Sequence, residues 1–153
     1  MEYYKKSAKK GNDNALKNIG NFYEKGYGVE QDYSKALKYY LKSVDKGNAD
    51  ALNKIGVFYE NGYGVKQDYS KALDYYLKSY KKGNSFAAKN IGNLYEKGIG
   101  IRQDYSLAMQ YYIQSVNNGN VYSSRTDPPI KMVHSWDPIK KQQIKEMKMQ
   151  FNG

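Results

Sequence analysis

Apolar residues along this chain alternate between two stripes, each with the spacing of one face of a helix. In the first stripe lie Ala15, Leu16, Ile19, Phe22 and Tyr23, which predicts a helix from about Asn12 to Lys25. In the second lie Tyr33, Ala36, Leu37, Tyr40, Leu41 and Val44, which predicts a helix from about Asp32 to Lys46. The same text returns at Ala51 to Gly83-Asn84 and, more loosely, at Ala87 to Gly119-Asn120, each time 36 residues on. A constant period of this length marks a solenoid, in which each unit buries its apolar face on the next. The fold class expected is therefore all-α, an α/α superhelical solenoid of three helix-turn-helix repeats with terminal capping helices.

Polar and glycine positions punctuate the pattern consistently. Asn12, Asn48, Asn84 and Asn120 are placed as N-caps of the first helices, and Asp32, Asp68 and Asp104 as N-caps of the second. The first helix ends at Gly26-Tyr27-Gly28-Val29 and its copies, a signature of a left-handed cap followed by a tight turn. Gly47, Gly83 and Gly119 close the second helices. Gly20, Gly56 and Gly92 recur inside the first helix, where glycine costs about 1 kcal/mol against alanine. Their return predicts two helices approaching too closely for a Cβ. Ala36, Ala72 and Ala108 read as further contact points.

The domain organisation that follows is a solenoid over residues 1–124 and a C-terminal segment over 125–153. Within the solenoid, 1–11 reads as a half repeat, a lone second helix covering one end, and 12–47, 48–83 and 84–119 as full repeats. An array cut from a longer one would begin the same way.

Composition adds three constraints. The 18 tyrosines, most at fixed places in the repeat, supply large buried area with a polar tip. The absence of cysteine excludes disulfides and thiolate metal sites. A formal charge of +10 favours anionic partners. No apolar run has the length of a membrane span, and the N-terminus lacks the core of a signal peptide. These features set the expectation of a soluble cytoplasmic protein without membrane attachment.

The spacing of Ala-Leu, Ile-Gly, Gly-Tyr-Gly-Val, Asp-Tyr, Lys-Ala, Tyr-Tyr and a closing Gly resembles the Sel-one-like repeat, a relative of the tetratricopeptide-like solenoids. The resemblance covers residues 1 to about 124. Tyr39, Tyr75 and Tyr111 stand where that family often has tryptophan, Ser43 where it often has alanine, and the cysteines of some members are missing. It implies a right-handed superhelix that serves as a protein-interaction scaffold or adaptor, with no enzyme activity. Large DNA viruses and host-associated bacteria expand such repeats, so a host cytoplasm is a second expected location.

The tail breaks the pattern. Asp127-Pro128-Pro129 forbids helix, Ile130 to Trp136 reads as extended, and Asp137-Pro138 starts a helix to about Phe151. Two readings stand: a cap over the last repeat, or an extension anchored by Trp136 that docks in a groove of its own or a neighbouring molecule. The expected state is a monomer, or weak self-association through this tail.

No catalytic constellation emerges. His134 is the only histidine, and its sequence neighbours Ser135 and Asp137 cannot form a triad, which needs residues converging in space. One histidine without cysteines makes no metal site. The glycine loops lack the phosphate-binding patterns. Glu24, Glu60 and Glu96, one per repeat, read as a surface ladder. No cofactor is implied.

Two faces remain for binding. On the first helices, Asn14, Lys17, Asn18 and Asn21 recur as Asp50, Asn53, Lys54 and Val57, then as Phe86, Lys89, Asn90 and Asn93. The resemblance to tetratricopeptide-like folds puts first helices on the concave side. Asparagine, carrying donor and acceptor, could hold a peptide backbone, lysine could hold a carboxylate, and Val57 with Phe86 could seat an anchor. The partner expected there is a protein or peptide. On the second helices, Lys35, Lys38, Lys42, Lys46, Lys71, Lys78 and Lys82 suggest nucleic-acid or anionic-surface binding on the convex side. The third copy fades to Leu107, Gln110, Gln114 and Asn118, arginine is scarce and few aromatics are free for stacking. Nucleic acid is therefore the weaker expectation.

Overall fold

The computed structural model describes residues 1–117. These form seven helices and no strand: α1 (Glu2–Lys9), α2 (Asp13–Lys25), α3 (Tyr33–Asp45), α4 (Ala49–Asn61), α5 (Tyr69–Lys81), α6 (Ser85–Lys97) and α7 (Tyr105–Asn117). The two readings of the tail, the helix to Phe151 and the cap Asn120 lie outside the described residues. Each first helix packs on its own second helix (α2 on α3, α4 on α5, α6 on α7), and each second helix packs on the next first helix. Neighbouring elements thus dominate the contacts, which is what makes a repeat array quasi-one-dimensional.

The caps follow the sequence. Asn12, Asn48 and Asn84 accept the backbone N–H groups of Ala15, Ala51 and Ala87 at 2.8, 2.9 and 3.1 Å. Asp32, Asp68 and Asp104 accept those of Lys35, Lys71 and Leu107 at 2.9–3.0 Å. Such caps satisfy backbone donors that a helix start would otherwise leave open. Gly26 stops α2 at φ 69°, a left-handed conformation that glycine adopts without a Cβ clash. The following loop is then clamped by Gln31, whose amide donates to the Glu24 carbonyl oxygen at 2.8 Å.

The core includes Ala36, Tyr40, Ala51, Ile55 and Phe58 in one layer, Ala72, Tyr76, Ala87, Ile91 and Leu94 in the next, and Ala108 with Tyr112 in a third. The recurring helical glycine is explained by the tyrosine of the second helix. A Cβ on Gly20 would lie 2.5 Å from Tyr40 Cε1, and one on Gly92 would lie 2.7 Å from Tyr112 Cε1. The close approach is thus made by one edge of the tyrosine ring against the helix backbone. The second loop glycine serves the contact between repeats: a Cβ on Gly64 would come within 3.1 Å of the Tyr33 backbone at the start of α3. Beside it, Tyr63 stacks on Tyr33 at 4.7 Å between ring centroids.

One expectation about the second-helix stripe needs correction. Leu41 is 42 % exposed, whereas Ser43 is fully buried. The face of α3 that enters the core carries Ala36, Tyr40 and Ser43, and Leu41 lies to one side of it. Ser43 is tolerated because its hydroxyl donates to the Asp13 carbonyl oxygen at 2.7 Å. Ser79 does the same to Ala49 at 2.7 Å. A buried hydroxyl with a partner is close to neutral, whereas one without is costly.

Candidate functional site

The face predicted for binding is built from four positions per repeat on α2, α4 and α6. It is not a free surface. Lys17 Nζ donates to Asp50 Oδ2 at 2.9 Å, joining α2 to α4. Lys54 Nζ reaches Glu24 at 3.1 and 3.2 Å, also between α4 and α2. Asn90 Nδ2 donates to Asn53 Oδ1 at 2.9 Å, joining α6 to α4. Asn48, the cap of α4, donates to Asp13 at 2.7 Å and to Asn14 Oδ1 at 3.1 Å, and Asn84 donates to Asp50 at 2.6 Å. Six of the twelve, Asn14, Lys17, Asp50, Asn53, Lys54 and Asn90, are therefore tied into one polar seam along consecutive first helices. Much of their hydrogen-bonding capacity is spent within it.

Glu24, Glu60 and Glu96 are not the surface ladder expected from sequence. Glu24 is buried, and it accepts from the Tyr40 hydroxyl as well as from Lys54. Glu60 accepts from Tyr76 at 2.5 Å and Glu96 from Tyr112 at 2.7 Å. Burial pushes the Glu24 carboxyl up, but the Tyr40 hydroxyl and the Lys54 ammonium together outweigh it, so its pKa lies below the ordinary glutamate value. The acids were legible only as a repeat. Their partners lie 16 residues on in the facing helix, beyond any local pattern.

Asn21 and Asn93 are drawn into the same network. The Tyr40 hydroxyl lies 2.7 Å from Asn21 Oδ1, and the Tyr112 hydroxyl 2.7 Å from Asn93 Oδ1. A phenol has one proton, and in each repeat a glutamate competes for it. The charged acceptor wins, so each asparagine is best satisfied with its amide nitrogen toward the phenol oxygen, since the two amide atoms are interchangeable in shape. Val57 replaces this asparagine in the middle repeat and is half-buried against the second core layer. Phe86 is 46 % exposed. Among the described residues, the side chains of Asn18 and Lys89 carry no hydrogen bond or ion pair, and Lys89 is exposed.

The second-helix lysines are engaged differently. Lys35, Lys42, Lys71 and Lys78 place their ammoniums 5.3–5.6 Å from the ring centres of Tyr23, Tyr39, Tyr59 and Tyr75. Lys35 also pairs with Asp32 at 3.2 Å and Lys78 with Asp74 at 2.7 Å. The tyrosines beneath are themselves stacked, Tyr23 on Tyr39 and Tyr59 on Tyr75. This side is thus a set of lysine-covered aromatic pairs in the first two repeats. Among the described residues no cluster of metal-binding side chains occurs, and no helix is long and apolar enough to cross a membrane.

Helix pairs stacked at a fixed period, with Gly64 and Gly100 seated on the preceding repeat, define an α/α repeat solenoid. The Sel1 repeat profile matches residues 1–12, 14–48, 49–84 and 85–120, and the chain belongs to the Sel1 repeat family. Sel1 repeats are generally protein-interaction scaffolds and typically non-catalytic. Among solved structures, a Sel1 repeat protein from Oxalobacter formigenes is similar at 33 % identity and a TM-score of 0.75, over 78 % of this chain and 47 % of that one. A protective antigen of uropathogenic Escherichia coli displaying an SLR fold is similar at 30 % identity and a TM-score of 0.69, over 78 % of this chain and 26 % of that one. The Helicobacter pylori cysteine-rich protein B shares the fold at 22 % identity and a TM-score of 0.55, over 70 % and 90 %. The chain thus spans under half the length of the first two. Comparison with curated proteins gave no match.

Proposed function

We propose that this chain is a protein-interaction module of a cytoplasmic scaffold or adaptor, and that it binds a protein or peptide along the first-helix seam. The observation that carries this reading is the seam's own order. Lys17–Asp50, Lys54–Glu24 and Asn53–Asn90 hold neighbouring side chains in place across repeats, beside the uncommitted Asn18 and Lys89. A surface already held in register loses little side-chain entropy on binding. Asn18 supplies donor and acceptor for an extended backbone, and Lys89 supplies a charge for an acidic side chain or a terminal carboxylate.

Nucleic-acid or anionic-surface binding through the second helices is the alternative. It is disfavoured by the placement of those lysines over tyrosine rings of the same repeat, which leaves few aromatics open to stack on bases. Asn21 and Asn93 are poor probes, because their loss would disturb the tyrosine network. Asn18→Ala combined with Lys89→Glu is cleaner. Immobilised protein should capture its partner from native cell extract in about 0.5 M salt, where exposed charges are largely screened, and the double variant should lose that capture with its helicity intact. Capture unaffected by the double variant but abolished by reversing Lys38 and Lys46 would move the binding face to the second helices.

A further inference from the structure

A cleft of about 560 Å³ lies between α1, α2 and α3, away from the first-helix seam. Its inner wall is apolar, formed by Ala8, Leu16, Ile19 and Tyr39, and its rim carries Lys5, Lys9, Lys42 and Lys46. Asp45 is the one acid in its lining, and Lys5 is also paired with Glu2 at 2.9 Å. Even against these acids and the partial negative ends of α1 and α3, the rim is positive. The volume is that of a ligand site.

The repeat explains why the space exists here. The position held by Ala8 in α1 is held by Val44 in α3 and Tyr80 in α5, and the position of Lys5 by Leu41 and Leu77. Val44 packs on the first core layer, while Tyr80 packs on the second and meets Tyr111 at 5.6 Å between ring centres. Ala8 is smaller than either, so the groove beside it is left more open. The corresponding groove between α5 and α7 is smaller, about 330 Å³, and has no charged residue in its lining. Of these two grooves, the first combines an open apolar wall with a ring of lysines.

We propose that this cleft takes an acidic peptide segment, one bulky apolar side chain entering between α1 and α3 while flanking carboxylates meet the four lysines. Residues 118–153 are basic as a whole, with Arg125 and five lysines against Asp127, Asp137 and Glu146, so charge complementarity favours an acidic partner over them as the occupant.

The test is fluorescence anisotropy of the full chain with a fluorescein-labelled hexapeptide, Asp-Glu-Leu-Phe-Glu-Asp. Saturable binding is expected, weakened about tenfold or more by Lys9→Glu with Lys46→Glu, since reversing charge at a complementary rim turns attraction into repulsion. Ala8→Tyr, which copies Tyr80, should block the cleft and abolish binding, and Lys89→Glu on the separate seam should leave it unchanged. Absence of saturable binding would overturn the proposal. So would equal binding of the version with Ala-Ala at its centre, binding that survives the two lysine reversals, or saturable binding of dodecanoate in place of the peptide.

Discussion

Raising the pH past 10 is expected to unfold the array steeply. Tyr40 and Tyr76 are fully buried and Tyr112 nearly so, and each donates its proton to a glutamate. Burial, then the hydrogen bond to the glutamate, then that carboxylate's charge push all three phenols far above their ordinary value of 10.0. In the unfolded chain the same phenols ionise near 10, so above that pH the folded state binds more protons than the unfolded one. Stability is then fully present below pH 10 and falls as pH rises. Each such tyrosine contributes a slope of about 1.4 kcal/mol per pH unit, and three together about 4 kcal/mol. With a total stability on the order of 5–15 kcal/mol, helicity followed by circular dichroism should be lost within a few units. Tyr76→Phe should make the alkaline slope shallower by about a third. Helicity that persists while absorbance at 295 nm reports every tyrosine ionised would contradict the buried network.

The second large effect is expected from Gly56→Ala. Alanine is the better helix former by about 1 kcal/mol, so helix propensity alone predicts stabilisation. The new Cβ would, however, sit 2.5 Å from Tyr76 Cδ1, on a ring that is fully buried and held at its far end by Glu60. Overpacking of this kind costs about 1–3 kcal/mol, and a ring pinned at both ends belongs at the upper limit. A net loss of about 2 kcal/mol should lower the melting temperature by roughly 5–10 °C. In a Tyr76→Leu background the same substitution should cost little, because the obstructing ring is gone. A rise in melting temperature on Gly56→Ala alone would refute the ring-on-glycine packing.

These two effects also mark where the sequence was and was not legible. Period, helix pairs and caps could be read directly, because they depend on local spacing and on the chemistry of Asn12 or Asp32 at a helix start. Gly56 announced a close approach, but its partner Tyr76 sits in the facing helix and carries no local mark. Leu41 was misplaced for a related reason. Hydrophobicity favours leucine inside, while the face of α3 that enters the core is set by Ala36 and Tyr40, and Ser43 follows them there with a carbonyl oxygen from α2 as its partner. Glu24 misled in the same way. An acid repeated at one position looks solvated until the tyrosine and lysine that hold it, from two other helices, are seen beside it.

The binding face shows the same mixture. Sequence placed the twelve residues on one side of the first helices, and hydrogen bonds between repeats tie Asn14, Lys17, Asp50, Asn53, Lys54 and Asn90 into a seam. It could not show that Lys17 binds Asp50, Lys54 binds Glu24 and Asn90 binds Asn53 across repeats, because a distance of 30 to 37 residues becomes a contact only once the repeats stack. That pairing narrows the uncommitted polar groups to Asn18 and Lys89.

Site-specific photo-crosslinking tests the central claim most directly. A photoreactive residue would be placed at position 18 or 89 on the seam, or at position 38 on the second-helix side, and each protein exposed to native extract. The seam positions should crosslink to a common protein, with a yield insensitive to salt, and position 38 should not. Crosslinks from position 38 alone, fading as salt rises, would contradict a first-helix binding face.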